Sequence, residues 1–324
     1  MVRRHLLILA AGGGHTGYAY ALAEALHPKV SLFFLVPEGD ILSERRLSKF
    51  GKVEFLIKPR GPKTPNHVFA PRLAKAIIDS ARLDFKKFDI VVSAGSNFCI
   101  PPALIAWAKG IPIVNIESPV RFVKPSKSAR ILQPFSAITA LHWEEQKKIL
   151  KGQVVGPILP KPEAEPRNEG YILVAGGTFG HRLLFDALAK SNLHNVVLQT
   201  GKIDPTPYLK KHPEWNIFTV KENFQEFISG AELVITHLGV TVLEAAMYKK
   251  PVVLVPNPEW TRTGGTEDAK HLARKINAVL VSKIETGTLL DATGEAKDRK
   301  VPTLPNGAKN LGNKIMDFLR EAKN

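Results

Sequence analysis

The feature that most constrains this 324-residue chain is a pattern written twice. HLLILAAGGGHTGYAYALAEAL stands near the start, and GYILVAGGTFGHRLLFDALAKS begins at Gly170. In both, an apolar run of strand type enters a glycine-rich turn and leaves it with a helical period. Gly12-Gly13 and Gly176-Gly177 are 164 positions apart, about half the chain. Further strand-like runs follow in each half: VSLFFLVP, DIVVSAG and PIVNIE, then NVVLQT, LVITHLG and PVVLVPN. Helical text alternates with them (RLAKAIIDSARL, PALIAWAKG, LFDALAKS, VTVLEAAMYKK). Strands alternating with helices specify a parallel sheet, so each half reads as a doubly wound, Rossmann-like α/β domain. The divide falls in GPILPKPEAEPRNEG, whose four prolines break any period. The expected domains are 1–157 and 170–324 with a linker over 158–169, and the C-terminal helix is expected to pack back on the first domain. Two such domains facing across a cleft would each contribute one side of a ligand site.

Composition narrows the classes. No apolar run approaches the roughly 20 residues of a membrane span. MVRRHLLILAAGGGH leads from a short apolar stretch into a glycine turn instead of a cleavage site, so neither leader nor membrane anchor is expected. The single Cys99 allows no intrachain disulfide, is compatible with a reducing cytosol, and reads as a small buried residue. The net charge of +15 is uneven. Residues 1–160 hold 23 Lys and Arg against 11 Asp and Glu, a net +12; the remainder is close to neutral at +3. Such asymmetry points the first half at a polyanion: nucleic acid, an anionic membrane or a phosphorylated substrate. No nucleic-acid-binding module is recognisable, so that partner is not expected.

Gly12, Gly14 and Gly17 satisfy G-x-G-x-x-G after a strand, with Glu38 about 20 residues on, which is the dinucleotide fingerprint. A nicotinamide dehydrogenase would then need a distinct catalytic domain, whereas the second half repeats the first. The second turn, Gly176-Gly177-Thr178-Phe179-Gly180, is expected to open a helix whose amides suit a diphosphate. There is no P-loop, no D-x-D pair and no His/Cys cluster, so neither a metal site nor a cofactor is expected. In AELVITHLGVTVLEAAMYKK a strand ends at His237-Leu238-Gly239 and a helix begins near Thr241, with Glu244 expected in its first turn. A carboxylate there can accept two hydrogen bonds from a ribose diol, or simply cap the helix. Phe224 reads either as core or as an aromatic bordering a base.

With these motifs assembled, the chain resembles a nucleotide-sugar glycosyltransferase of the two-domain GT-B type. It is most similar to the eukaryotic two-subunit enzyme that adds the second N-acetylglucosamine to dolichol-diphosphate-linked N-acetylglucosamine, fused here in one chain as in archaeal-type homologues. Residues 1–157 carry the likeness to the acceptor subunit through GGGHTGYAYAL, SAGSNFCIPPAL, IVNIESPVRF, LHWEEQKK and VVGPI. Residues 170–276 carry the likeness to the donor subunit through VAGGTFGH, ITHLGVTVLEAAMYKKPVVLVPN and TEDAKHLARK. The bacterial transferase that completes lipid II is a more distant relative.

The resemblance implies an inverting, metal-independent N-acetylglucosaminyltransferase using UDP-N-acetylglucosamine and an isoprenoid-diphosphate-linked sugar, peripheral on the cytosolic face of the membrane. It implies Gly176, Gly177 and Thr178 at the donor diphosphate, Phe224 beside uracil, and Thr241 and Glu244 at the diphosphate and ribose. His237, with Leu238 and Gly239, would lie near the donor phosphates. A family glutamine for the sugar hydroxyls is replaced by Glu267 or Asp268. On the acceptor side it implies Gly12, Gly13, Gly14, Thr16, Ser118 and Arg121. An attacking hydroxyl must lose a proton, and an imidazole titrates near neutrality untuned, which gives His15 its purpose as general base. Glu117 is the alternative base, or the group that orients His15, and a third reading has His15 only donating a hydrogen bond to phosphate.

The basic surplus fits the same picture. Lys58, Arg60, Lys63, Arg72, Arg121, Lys124, Lys127 and Arg130 lie in two proline-broken segments, 58–72 and 121–130, expected to be loops against an anionic bilayer, with Phe69 or Phe122 adding a shallow apolar contact. The competing readings are a UDP-N-acetylglucosamine 2-epimerase, which shares the two-domain fold, and a non-catalytic UDP-sugar-binding membrane scaffold.

Overall fold

A computed structural model describes residues 3–61, 64–260 and 264–321. The chain forms two compact units, one holding the chain up to Lys161 and again from Pro305, the other Pro162–Leu304. The stretch taken as a linker is therefore shared between units that divide at Lys161. The C-terminal helix, within 170–324 by sequence but expected to pack back on the first domain, belongs to the first unit.

In the first unit the order is β1 (His5–Leu9), α1 (Gly14–Leu26), β2 (Ser31–Pro37), α2 (Ile41–Leu47), β3 (Gly51–Leu56), α3 (Asn66–Ala81), β4 (Ile90–Ser93), α4 (Ile100–Ala108), β5 (Ile113–Ile116), α5 (Lys127–Leu132), β6 (Ile138–Leu141) and β7 (Gln153–Val154). The strands form one parallel sheet in the order β3-β2-β1-β4-β5-β6-β7. Helices cover both faces of such a sheet, so its central strands are buried and largely apolar. Every residue of IVVS in β4 and IVNI in β5 is buried.

The second unit contains β8 (Tyr171–Ala175), α6 (Arg182–Leu188), β9 (Val196–Gln199), α7 (Thr206–Lys211), β10 (Asn216–Phe218), α8 (Phe224–Gly230), β11 (Ala231–Thr236), α9 (Val240–Met247), β12 (Val252–Leu254), α10 (Thr266–Ile276), β13 (Val279–Leu280) and α11 (Thr286–Lys297). Its parallel sheet runs β10-β9-β8-β11-β12-β13, the order of the first unit's six leading strands. Then α12 (Gly307–Glu321) returns to the first unit and packs on α1. Its buried face is Ala308, Leu311, Gly312, Ile315 and Leu319, the three- and four-residue spacing of one helical stripe.

In a sheet of this order the connections reverse direction between the first and fourth strands, and the crevice beyond their carboxyl ends is where ligands bind. The first unit has that point between β1 and β4, the second between β8 and β11.

One element departs from its text. The helical period begins at Arg72, yet α3 starts at Asn66 and runs through Pro71. Proline there removes a single N–H, the one that would bond the carbonyl of His67, and His67 is exposed to water. Segment 58–72 is thus partly helix, and α5 likewise takes residues 127–130 of the second basic segment. Only Ala76 and Ser80 of α3 are buried, and Ile77 and Ile78 lie outward, 46% and 52% exposed.

Candidate functional site

The switch point of the first unit is occupied by His15. α1 begins at Gly14, so His15 sits in its first turn, directly after β1 and the glycines. Its Nδ1 lies 2.7 Å from the carbonyl oxygen of Ala94, the residue that follows β4. A carbonyl only accepts, so Nδ1 carries the proton and Nε2 keeps the lone pair of the neutral ring. Gly95 makes the approach possible, since at φ +93° a Cβ there would stand 3.1 Å from the His15 Nδ1. Burial pushes the His15 pKa down, the Ala94 bond opposes this, and the Lys58 charge pushes it down further. The ring is therefore neutral at physiological pH, with Nε2 available to take a proton.

Side chains behind the loop hold it in place. Lys58 Nζ donates to the Ala11 carbonyl at 2.7 Å, and burial lowers its own pKa. Thr16 Oγ1 lies 2.6 Å from Ser43 Oγ, which in turn donates to Asp40 Oδ2 at 2.7 Å. Thr16 is buried in this chain of hydroxyls, while Gly13 and Gly14 are exposed and Gly12 is half-buried.

Glu117 follows β5 and has no solvent exposure. Its Oε1 accepts from the Ser118 N–H at 2.6 Å and its Oε2 from the Ser126 N–H at 2.9 Å. Burial raises its pKa against these bonds. The carboxylate thus closes the loop 118–126 on itself. Gln146 Nε2 donates to the carbonyls of Ser118 and Arg121, each at 2.8 Å, and Trp143 Nε1 to that of Pro119 at 2.8 Å. His142 Nε2 donates to the Glu117 carbonyl at 2.8 Å, and burial takes its pKa down to about 4. The group that orients His15 is the Ala94 carbonyl; Glu117 spends both oxygens on main chain. His142, Trp143 and Gln146 lie in LHWEEQKK, a segment that carries the resemblance but gave none of them a role, and Asp40 and Ser43 lie in no motif, because each acts on main chain or through a hydroxyl.

In the second unit the equivalent point is filled from the other strand. Gly177 follows β8 with φ +65°, and a Cβ there would come within 2.6 Å of Nε2 of His237, which follows β11. Thr236 Oγ1, at the end of β11, donates to the Ala175 carbonyl at 2.8 Å. Burial takes the His237 pKa down to about 4. His181, fully buried beside this turn, is also held at about 4 by burial and then by His237, and its Nδ1 accepts the Leu184 N–H at 3.4 Å as N-cap of α6. The helix therefore begins only at Arg182. Gly176, Gly177 and Thr178 form a turn ahead of it, closed by the Gly180 N–H on the Gly177 carbonyl at 3.3 Å, rather than its first turn.

The remaining residues expected on the donor side are placed as follows. Leu238 is buried, Gly239 precedes α9, and Thr241 is in that helix's first turn. Glu244, expected in the same turn, lies in the next one, because the helix starts at Val240. Phe224 is half-buried at the start of α8. The choice between the two acids of α10 is physical. Asp268 is buried and accepts the Gly265 N–H at 2.9 Å, closing the helix terminus, whereas Glu267 is exposed beside Lys270.

The basic segments are less uniform than their text. Lys58 points inward, and Lys63 lies outside the described residues. Phe122, expected at a bilayer, is 5% exposed and stacks on Trp143. Phe69 is half-buried, with the Arg60 guanidinium 5.4 Å from its ring centre. Arg72, Lys124, Lys127 and Arg130 are exposed. Among the described residues no helix is long and apolar enough to cross a membrane, and no group of three or more His, Cys, Asp or Glu could hold a metal ion.

Comparison with known proteins gives concordant matches. Residues 171–321 match the glycosyltransferase family 28 C-terminal domain. A UDP-N-acetylglucosamine–N-acetylmuramyl-(pentapeptide) pyrophosphoryl-undecaprenol N-acetylglucosamine transferase of Psychromonas ingrahamii is 27% identical over 87% of this chain and 86% of its own. The enzyme of that name from Synechococcus elongatus is 29% identical over 86% and 83%. Among solved structures, Acinetobacter baumannii MurG superposes with a TM-score of 0.66 at 20% identity, over 98% of this chain and 99% of that one. A Neisseria meningitidis UDP-GlcNAc 2-epimerase bound to UDP-GlcNAc superposes at 0.65 and 14% identity, over 98% and 100%. At these identities the structural likeness is one of fold. The fold is GT-B, two parallel-sheet α/β domains, and its segment 171–321 matches the C-terminal domain of glycosyltransferase family 28.

Proposed function

We propose that this protein transfers N-acetylglucosamine from UDP-N-acetylglucosamine to a sugar carried on an isoprenoid diphosphate, with inversion at the anomeric carbon. The observation that carries this reading is that the N-acetylglucosamine transferases named above align with the chain across both units. In the step proposed, an acceptor hydroxyl attacks the anomeric carbon, the bond from that carbon to the diphosphate oxygen breaks, and UDP leaves with the electron pair. The hydroxyl proton passes to Nε2 of His15, which the Ala94 bond leaves unprotonated. The Gly176 N–H is spent on the Gln199 carbonyl at 3.3 Å, so the amides of Gly177 and Thr178, with Lys202, whose N–H donates to the Thr178 carbonyl, would meet charge on the departing diphosphate. Glu244 would accept from the ribose, and Glu267, the exposed acid of the pair, from the sugar.

The acceptor is proposed to be N-acetylglucosamine on a dolichyl-type diphosphate, in assembly of an N-glycan precursor. GGGHTGYAYAL and the donor-side text through TEDAKHLARK support this finer reading. The enzyme would work as a peripheral protein at the cytosolic face of the membrane. Product mass spectrometry tests all of this: the protein is given several UDP-sugars with synthetic phytanyl-diphosphate-N-acetylglucosamine or with a diphosphate-linked N-acetylmuramyl pentapeptide. A disaccharide on the first acceptor is expected. Product only on the second would move the acceptor to cell-wall type, and conversion of UDP-N-acetylglucosamine to its 2-epimer without acceptor would replace the transferase reading.

A further inference from the structure

An aromatic pair beside the second unit's glycine turn has no part in the chemistry above. Phe179 follows Thr178 directly and is 41% exposed. Its ring stacks on that of Trp260, 4.6 Å between centres and 25° between planes. Trp260 lies in the segment after β12, and Asn257 of that segment donates from Nδ2 to the Gly180 carbonyl at 3.3 Å. The loops that bear the rings are thus tied together. On the other side, the Lys202 N–H donates to the Thr178 carbonyl at 3.0 Å, and its Nζ lies 5.2 Å from the Phe179 ring centre.

This is a stiff platform: two rings with few rotatable bonds, a cation beside them, all fixed to the turn assigned to a diphosphate. The negative face of an aromatic ring attracts the polarised C–H edge of a pyranose, and it does so without reading any hydroxyl. A nucleotide-activated sugar has two substituents on its diphosphate. The nucleoside is assigned to α8 and α9, through Phe224 and Glu244, which leaves the hexose. We infer that Trp260, backed by the stacked Phe179 ring, is a platform for the hexose ring of the activated sugar. The inference rests on the donor reading of the second unit and adds to it the residues that discriminate a sugar nucleotide from the bare nucleotide.

Calorimetric titration of the full chain with UDP and with UDP-N-acetylglucosamine, for wild type, Phe179→Ala, Trp260→Ala and Trp260→Phe, tests it. Both alanine variants should weaken UDP-N-acetylglucosamine by about tenfold while UDP changes by less than about twofold, which also shows that they are folded. Trp260→Phe, which keeps an aromatic face, should recover most of the UDP-N-acetylglucosamine affinity that Trp260→Ala loses, yet lose the change in tryptophan emission that UDP-N-acetylglucosamine produces. Equal weakening of the two ligands would assign the rings to the base, and no weakening of either would leave them without the role; each overturns the inference. Failure of the wild type to bind UDP at all would remove the donor reading itself.

Discussion

His15 and Ala94 meet across the first unit's switch point, imidazole Nδ1 to carbonyl oxygen, at 2.7 Å. The pairing of β1 with β4 brings the start of α1 beside Ala94, and Gly95 leaves room for the ring. The bond fixes the tautomer, and burial keeps the ring neutral. His15→Ala is expected to lower turnover by about 10²- to 10⁴-fold with UDP-sugar affinity near that of wild type. Steady-state kinetics with calorimetric binding checks this, and near-full activity would end the assignment.

The pH profile follows with a definite sign. A base is active when unprotonated, and the His15 pKa is lowered from its ordinary value of 6.5. The acid limb of kcat/KM should therefore have its midpoint below 6.5, and neutralising Lys58, as in Lys58→Met, should move it upward. A limb at or above 6.5 in the wild type would contradict the burial argument.

Glu117 should behave as a brace. Glu117→Ala leaves the N–H groups of Ser118 and Ser126 without their acceptor, a cost of about 1–3 kcal/mol in denaturant unfolding. Activity should fall because the loop loosens, while the acid limb stays where it was. A limb that disappears in this variant would make Glu117 the base after all.

Charge on departing UDP is assigned to main-chain amides, and among the described residues no group of three or more His, Cys, Asp or Glu could hold a metal ion. Turnover should survive EDTA. Complete loss, restored by Mg²⁺ or Mn²⁺, would overturn that assignment.

Membrane docking should use the groups that point outward. Arg72, Lys124, Lys127 and Arg130 are exposed, and each basic group near an anionic surface contributes about 1 kcal/mol. Ile77, Ile78 and Trp107 supply exposed apolar surface in place of the buried Phe122. Anionic liposomes should pellet the protein at low salt and release much of it at high salt, where charges are screened. Replacing the four basic residues by Ser should abolish pelleting and leave UDP binding intact; equal pelleting by neutral liposomes would argue against electrostatic docking.

The legible part of the sequence was what depends on local period. β1, β2, β4, β5, β8, β9, β11 and β12 stand in runs of apolar text, and both glycine turns follow strands as their spacing required. Less legible was whatever depends on a partner distant in the chain. β3, GKVEFL, has no residue wholly inside except Leu56, so its alternation is weak, yet pairing with β2 makes it a strand. Phe122 and Lys124 are two residues apart and look alike as basic-apolar text, but Trp143 claims the first. Glu117 stands at a strand end and His15 at a helix start, and only the folded structure shows that His15 meets the Ala94 carbonyl instead of Glu117. Asp268 and Glu267 were indistinguishable until the helix start at Thr266 turned one of them into a cap.

The return of α12 has a consequence for biosynthesis. Arg4 Nη2 donates to the Leu319 carbonyl at 2.6 Å, Asn310 Nδ2 to that of Val155 at 2.8 Å, and Gly312 lies against Leu26 and Ala25 of α1. The second unit is contiguous, so it can mature as it leaves the ribosome. The first unit must wait, its α1 face uncovered, until the whole of the second has been translated. The half made first is finished last, and a ribosome stalled between the two events would release a protein whose defect lies at the opposite end from the missing residues.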